Sequence, residues 1–287
     1  MSRHQEFVDG QFDPAHNFQH EGNATKTLVI ASSPRCGSHM LGHLLHATNQ
    51  LGHPLEYLHP VNFARWKELY ATSDAGETIR QLMRNRTSPS GVFSTKIHYP
   101  QLAAFGGIAA LREHFPDPHV VLLRRRDSIK QAVSLAIARQ TGKWIGETPS
   151  VADVQYDAHA IDRALADVIL QTANWRRDVL RSDLPVLELD FEDILGREAE
   201  AVASIAAFAG VEVPAGELPA APSTRRQGSS LNAEWRARFL ADVARSPSDG
   251  TSRFELADGG SGRSTNRGRA PKRAVKRLIG RIQRVGR

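Results

Sequence analysis

At 287 residues, with 40% hydrophobic and 24% charged positions, the chain can bury a substantial core, which excludes a wholly disordered protein. No apolar run reaches the roughly 20 residues that a bilayer span requires, and residues 1–23 lack the basic-then-apolar order of a signal peptide, so a cytoplasmic protein is expected. The net charge of +6 is uneven: ten Lys and Arg with no Asp or Glu stand from Arg263 onward, leaving a net −4 on the rest.

A polar leader, residues 1–24, precedes the first apolar segment. Residues 27–32 are β-branched and apolar and read as a buried strand. The small-residue loop Ser33-Pro34-Arg35-Cys36-Gly37-Ser38 follows, and Met40, Leu41, Leu44 and Leu45 then recur at helical spacing, predicting a helix over 39–50. Strand, tight loop and helix make up the layout in which N–H groups at a helix start face an anion. Residues 56–86 have helical character, 91–96 predict a second strand, and 102–114 one further helix. Residues 119–123 are the clearest strand and run into Arg124-Arg125-Arg126-Asp127. Beyond them Ile129, Ala132, Val133, Ala136 and Ile137 predict an amphipathic helix whose other side carries Gln131, Ser134 and Ala138. Residues 161–180 predict a long helix, 186–189 a strand, and 199–209 a helix stopped at Gly210. Alternating strands and helices imply an α/β domain with a doubly wound, mainly parallel sheet, placed at 25–256. From residue 257 the composition turns to Gly, Ser, Arg and Asn, marking a linker and basic tail over 257–287.

Two elements bear on chemistry. The 33–38 loop lacks the first glycine and the Gly-Lys-Ser/Thr of a nucleotide-hydrolase P-loop, yet Gly37 allows close backbone approach, Ser38 adds a hydroxyl and Arg35 fixed charge. An ordinary strand-to-helix turn would read much the same. The second element is the arginine run, with Ser134 one helix face beyond it, where a guanidinium and a hydroxyl can converge on a second phosphate. Three arginines also make an ordinary solvated charge cluster. Two anion sites at the carboxyl ends of two strands suit a ligand with phosphates at both ends.

At these residues the chain resembles the bacterial carbohydrate sulfotransferases that use 3′-phosphoadenosine-5′-phosphosulfate (PAPS), of the trehalose 2-sulfotransferase type, and more distantly the nodulation-factor sulfotransferases. The matching segments are residues 28–38, Gly52-His53-Pro54-Leu55-Glu56-Tyr57, Lys96, Arg125-Arg126-Asp127 through Gln131-Ala132-Val133-Ser134, Arg139-Gln140-Thr141-Gly142-Lys143-Trp144, and Arg226-Gln227 followed by Glu234-Trp235. They span about residues 27–240 in the family's order. The resemblance implies a sulfotransferase fold with a P-loop-like PAPS loop, transfer of a sulfuryl group to a carbohydrate or glycolipid hydroxyl, and a homodimer. It implies that Arg35, Cys36, Gly37, Ser38 and His39 hold the 5′-phosphosulfate, that Arg125 and Ser134 hold the 3′-phosphate, and that Arg226 and Gln227 lie on the nucleotide side. His39 departs from the hydroxyl residue usual at its position. Glu56 occupies the place of the proposed catalytic base, with Arg35 stabilising the leaving oxygen and Lys96 contacting acceptor or sulfuryl group; His53, His59 and His98 are fallback bases. A protein that binds PAPS or 3′,5′-adenosine bisphosphate without catalysis is the alternative.

Trp66, Gln140, Thr141 and Trp144 are candidates for a sugar site, and equally for packing. His39, His43 and His46 share a helix face, but without a further ligand at suitable spacing no metal is expected. The single cysteine, Cys36, excludes an internal disulfide, and Gly42 stands where a cysteine phosphatase loop needs an arginine. The tail places Val275, Leu278, Ile279 and Ile282 among Lys and Arg, a pattern suited to the inner face of an anionic membrane or to a solvated tail without a partner; nucleic acid would be touched nonspecifically at most.

Overall fold

The structure, a computed structural model, describes residues 11–18, 23–142, 144, 154–214, 216, 218 and 230–245. Its centre is an α/β sheet of four parallel strands among the described residues: β1 (Lys26–Ser32), β2 (Val92–His98), β3 (Pro118–Arg124) and β4 (Val186–Asp190), in the order β2-β1-β3-β4. Ile30 is in register with Lys96 on one side and with Val121 on the other. A strand flanked on both sides in a parallel sheet is covered on both faces, which is why 28–31 read as an unbroken apolar run.

Alternate residues serve opposite faces. Val29, Ala31, Phe93, Ile97, Val120 and Leu122 meet the helices α2 (Pro60–Leu69), α3 (Ala75–Arg86), α4 (Tyr99–Phe105), α5 (Gly107–His114) and α7 (Ala158–Leu180) through Trp66, Ile79, Leu102, Leu111 and Trp175. Leu28, Ile30, Val121 and Leu123 meet α1 (Ser38–Ala47) and α9 (Glu198–Ala209) through Leu41, Leu45, Val202 and Ile205. A third cluster joins α6 (Ser128–Thr141), α7 and α10 (Ser230–Arg245) around Val133, Ile161 and Trp235. The short helix α8 (Phe191–Ile194) follows β4 directly.

Several local expectations are corrected. The helix expected over 102–114 is two helices, because Gly106 and Gly107 both take positive φ, 114° and 76°, and turn the chain between α4 and α5. Helix α1 ends at Ala47, three residues early, where the buried Thr48 hydroxyl donates to Leu45 O and accepts from the amides of Gln50 and Leu51. Helix α6 is not one-sided: Gln131, Leu135 and Ala138 are buried along with the predicted face. Its second side packs toward the 33–38 loop, where Gln131 Nε2 donates to Ser33 Oγ at 3.0 Å and to Pro34 O at 2.7 Å. Helix α10 went unpredicted.

The described part of the leader packs on the core. Phe12 lies 4.7 Å from the Trp66 ring, and the fully buried Arg86 donates through one nitrogen to the carbonyls of Gln11 and Asp13, both at 3.1 Å. Among the described residues no helix is long and apolar enough to cross a membrane. Arg226, Gln227 and the tail 257–287 lie outside the described residues.

Candidate active site

The carboxyl ends of β1, β2 and β3 converge on one edge of the sheet. From β1 the chain enters a loop in which Arg35 (φ 66°) and Gly37 (φ 97°) take left-handed conformations, and Gly37 becomes the N-cap of α1 without a side-chain cap. The first amides of α1 are thus left for an anion. Gly37 is required there sterically: a Cβ built on it would overlap Cδ2 and Cε2 of Phe191 and lie 3.0 Å from Cγ. Cys36 is fully buried in the core beneath the sheet, and burial raises its thiol pKa, so its contribution to a bound anion is its backbone. Ser38 is buried at the first position of α1.

Arg35 reaches across to α6. Its Nε donates to Ser134 Oγ at 3.0 Å, its terminal nitrogen donates to Trp144 O, and its own carbonyl accepts from Arg125 at 3.1 Å. Burial first, and the Arg125 charge second, lower the Arg35 pKa to about 10. Two guanidinium-bearing side chains and a hydroxyl are therefore gathered in one partly desolvated corner, which is what an anion of high charge requires.

The three arginines after β3 have separate duties. Arg124 pairs with Glu188 at 2.7 Å and Asp190 at 3.2 Å, and Arg126, 54% exposed, makes a two-pronged pair with Asp193 at 2.7 and 2.8 Å. Arg125 lies over the Phe191 ring at 5.4 Å, with Glu192 at 3.9 Å. Of the three, Arg125 is the one that reaches Arg35, through the Arg35 carbonyl.

At the end of β2, Lys96 and His98 meet Glu56. Residues 52–57 form a turn laid beside β2 by the bridge Leu55↔Thr95, with Lys96 N donating to Leu55 O at 2.9 Å. Glu56 Oε1 is 2.9 Å from Lys96 Nζ and 3.6 Å from His98 Nε2, while Oε2 accepts from Gln101 Nε2 at 2.7 Å. Burial alone would raise the Glu56 carboxyl; the Lys96 ammonium, then His98 and the two hydrogen bonds, outweigh it and hold the group well below the usual carboxylate range. Burial lowers the His98 pKa, against the pull of Glu56. His98 Nδ1 faces Ser32 Oγ at 3.1 Å and Ser32 O at 3.3 Å. A proton on Nδ1 would be accepted by the Ser32 carbonyl, whereas in the other tautomer the Ser32 hydroxyl donates to Nδ1 and an Nε2 proton faces the Glu56 carboxylate.

Of the other fallback bases, His53 stacks on His46 and His59 is the N-cap of α2. His39 bonds His43 through their Nε2 atoms at 2.9 Å, and burial, then Lys96, lower its pKa to about 3. Trp66 is buried in the core against Tyr57, Tyr70 and Arg86 and does not line a sugar site. The Gln140 side chain donates to Gln155 O and accepts from Gln155 N, Thr141 Oγ1 donates to Ile137 O at 2.9 Å, and Trp144 meets Arg35 through its carbonyl. Gln101, Gln131 and Phe191 were missed as supports of the site. Gln101 had a legible signal, three residues after His98 with Pro100 between, since its Oε1 accepts from His98 N at 2.9 Å in a capping box.

Residues 27–242 match the model of the family described as Stf0 sulphotransferase. The chain is 27% identical over 263 residues to a trehalose 2-sulfotransferase of Mycobacterium tuberculosis, covering 77% of this chain and 97% of that one. It is 24% identical over 261 residues to a trehalose 2-sulfotransferase of Mycolicibacterium smegmatis, covering 77% and 96%. Among solved structures, a sulfotransferase from Alicyclobacillus acidocaldarius is similar at 18% identity and a TM-score of 0.42, covering 78% of this chain and 94% of that one. The family match takes in both arginine-bearing strand ends and the Glu56 turn, and this chain belongs to the Stf0 sulphotransferases.

Proposed function

We propose that the enzyme transfers the sulfuryl group of PAPS to a hydroxyl of a saccharide or glycolipid by in-line displacement. The observation that carries this reading is an anion-suited corner beside a carboxylate: Arg35, Arg125 and Ser134 on one side, and Glu56 with Lys96 and His98 on the adjoining strand end. The amides of Gly37, Ser38 and His39 with Arg35 receive the 5′-phosphosulfate, and Arg125 with Ser134 receives the 3′-phosphate. Arg226 and Gln227 complete the nucleotide side by resemblance alone.

Sulfuryl transfer builds charge on the bridging oxygen of the leaving phosphate, and a positioned cation answers it; Arg35 takes that part. Glu56 takes the acceptor proton. Paired with Lys96 it is ionised but weakly basic, so its proton affinity must rise when the donor's sulfonate draws the Lys96 ammonium away. Donor binding would therefore arm the base. His98 Nε2, 3.6 Å from the same carboxylate oxygen, is the second base to test.

Because both curated relatives are trehalose 2-sulfotransferases, trehalose is the first acceptor to assay. The test is calorimetry with 3′,5′-adenosine bisphosphate together with transfer of labelled sulfate from PAPS into trehalose and into extracted saccharides and lipids. Expected are binding that weakens in Arg35→Ala and Arg125→Ala, and labelled product. Absence of binding, or binding untouched by both substitutions, would overturn the donor assignment; binding with no product from any acceptor would favour the non-catalytic alternative.

A further inference from the structure

We propose that His16, His46 and His53 form a binding site for a zinc-like divalent cation, separate from the donor corner. His16 comes from the short 3-10 turn Pro14–His16 of the leader, far in sequence from the other two, His46 from the last turn of α1 and His53 from the segment that carries Glu56. Each offers a ring nitrogen, and the ligand atoms all lie within 4.8 Å of one another. The rings pack together, His46 and His53 at 3.7 Å between centroids and His16 and His53 at 4.8 Å.

Three observations point to a ligand. Nδ1 of His46 and Nδ1 of His53 are both buried with no hydrogen-bond partner, and an orphaned buried nitrogen marks a place where water or an ion belongs. Burial keeps both rings neutral, with His46 lowered to about 4 and His53 to about 2, so their lone pairs are available to a metal at any physiological pH. An all-imidazole donor set suits zinc and its neighbours, with a fourth position for water or hydroxide. Tetrahedral zinc at about 2.0–2.1 Å from each nitrogen holds its ligand atoms about 3.4 Å apart. The cluster must thus contract by up to about 1.4 Å, and the near-parallel His46 and His53 rings, 9° between planes, must tilt toward a common point. The buried Arg86, whose charge bears on both His46 and His53, opposes a cation and favours an anionic fourth ligand such as hydroxide.

Such an ion would tie the leader to the end of α1 and to the turn three residues before Glu56, making a structural cross-link where a single-cysteine chain has no disulfide. The experiment is equilibrium dialysis of the untagged, full-length protein against Zn2+ with elemental analysis, followed by thermal unfolding. One equivalent per chain is expected, with a rise in Tm of about 5–10 °C at a hundredfold excess over Kd. Dialysis against Co2+ should give the intense visible absorption of a tetrahedral nitrogen site. His16→Ala and His46→Gln should each lose the equivalent and the Tm shift, whereas the surface change His159→Ala keeps both; affinity for 3′,5′-adenosine bisphosphate reports that the variants are folded. Wild-type protein that takes up neither ion, or stoichiometry retained in both variants, overturns the proposal, and the cobalt spectrum decides on wild type alone should a variant fail to fold.

Discussion

Replacing Gly37 by alanine tests whether the anion loop is built around a steric necessity. Two costs apply. A non-glycine residue at φ 97° is strained by about 1–3 kcal/mol, and the new methyl group must displace the Phe191 ring it overlaps, an overpacking cost of about 1–3 kcal/mol. The expected loss is therefore about 2–6 kcal/mol, which at an m-value of about 3 kcal/mol/M lowers the urea midpoint by about 0.7–2 M. The second cost is separable. Phe191→Ala in the Gly37→Ala background removes the clash while leaving the backbone strain, so a double-mutant cycle should give a rescuing coupling of about 1–3 kcal/mol. Because Arg125 sits 5.4 Å over that ring, Gly37→Ala should also weaken 3′,5′-adenosine bisphosphate binding in the fraction that remains folded. A Gly37→Ala protein within about 0.5 kcal/mol of wild type, or a cycle with no coupling, would refute this account of the loop.

The division of labour among the arginines predicts that Arg125→Ala weakens nucleotide binding by about 10–100-fold, the loss of one charge-assisted hydrogen bond, while Arg126→Ala, whose guanidinium is engaged by Asp193, changes it less than about twofold; calorimetry on the two variants checks it. Glu56→Gln should lower labelled-sulfate transfer by about 10²–10⁴-fold with adenosine bisphosphate affinity retained, and a larger loss in His98→Ala would move the base assignment to the histidine. The Glu56 carboxyl is held below its unfolded pKa, so its pairing stabilises the fold above about pH 4.3 and is lost as pH falls further. The gap in unfolding free energy between wild type and Glu56→Gln should accordingly be widest at neutral pH and close under acid; a gap that widens on acidification would contradict the ion pair.

The parallel strands were legible because burial on both faces leaves an unbroken apolar run, as in Leu28-Val29-Ile30-Ala31. Helix α6 misled for the converse reason. Its apolar spacing predicted one buried face, but Gln131 is buried through hydrogen bonds to the loop, a demand that hydrophobic periodicity does not record. The division of the expected 102–114 helix was written in Gly106-Gly107, and α10 was overlooked even though Leu231, Trp235 and Phe239 are spaced four apart on its buried face. At the site, the strand-to-helix loop and the arginine run were visible as patterns, but the meeting of Glu56 with Lys96 depends on a pairing between Leu55 and Thr95, forty residues apart, that no local rule supplies. The histidines show the same limit. Helical spacing grouped 39, 43 and 46, whereas the fold pairs 39 with 43 and gives His46 to His53 and the leader.

Arg86 sits at 0% exposure against Trp66, and one of its guanidinium nitrogens donates to the backbone oxygens of both Gln11 and Asp13. Trimming the gene to the family-matched segment, which starts at residue 27, would strip a buried cation of those acceptors and unroof an indole. Expression designs that begin downstream of residue 10 but upstream of residue 27 should lose solubility in proportion to how much of 11–13 they delete, so the practical start of the folding unit lies well before the first strand.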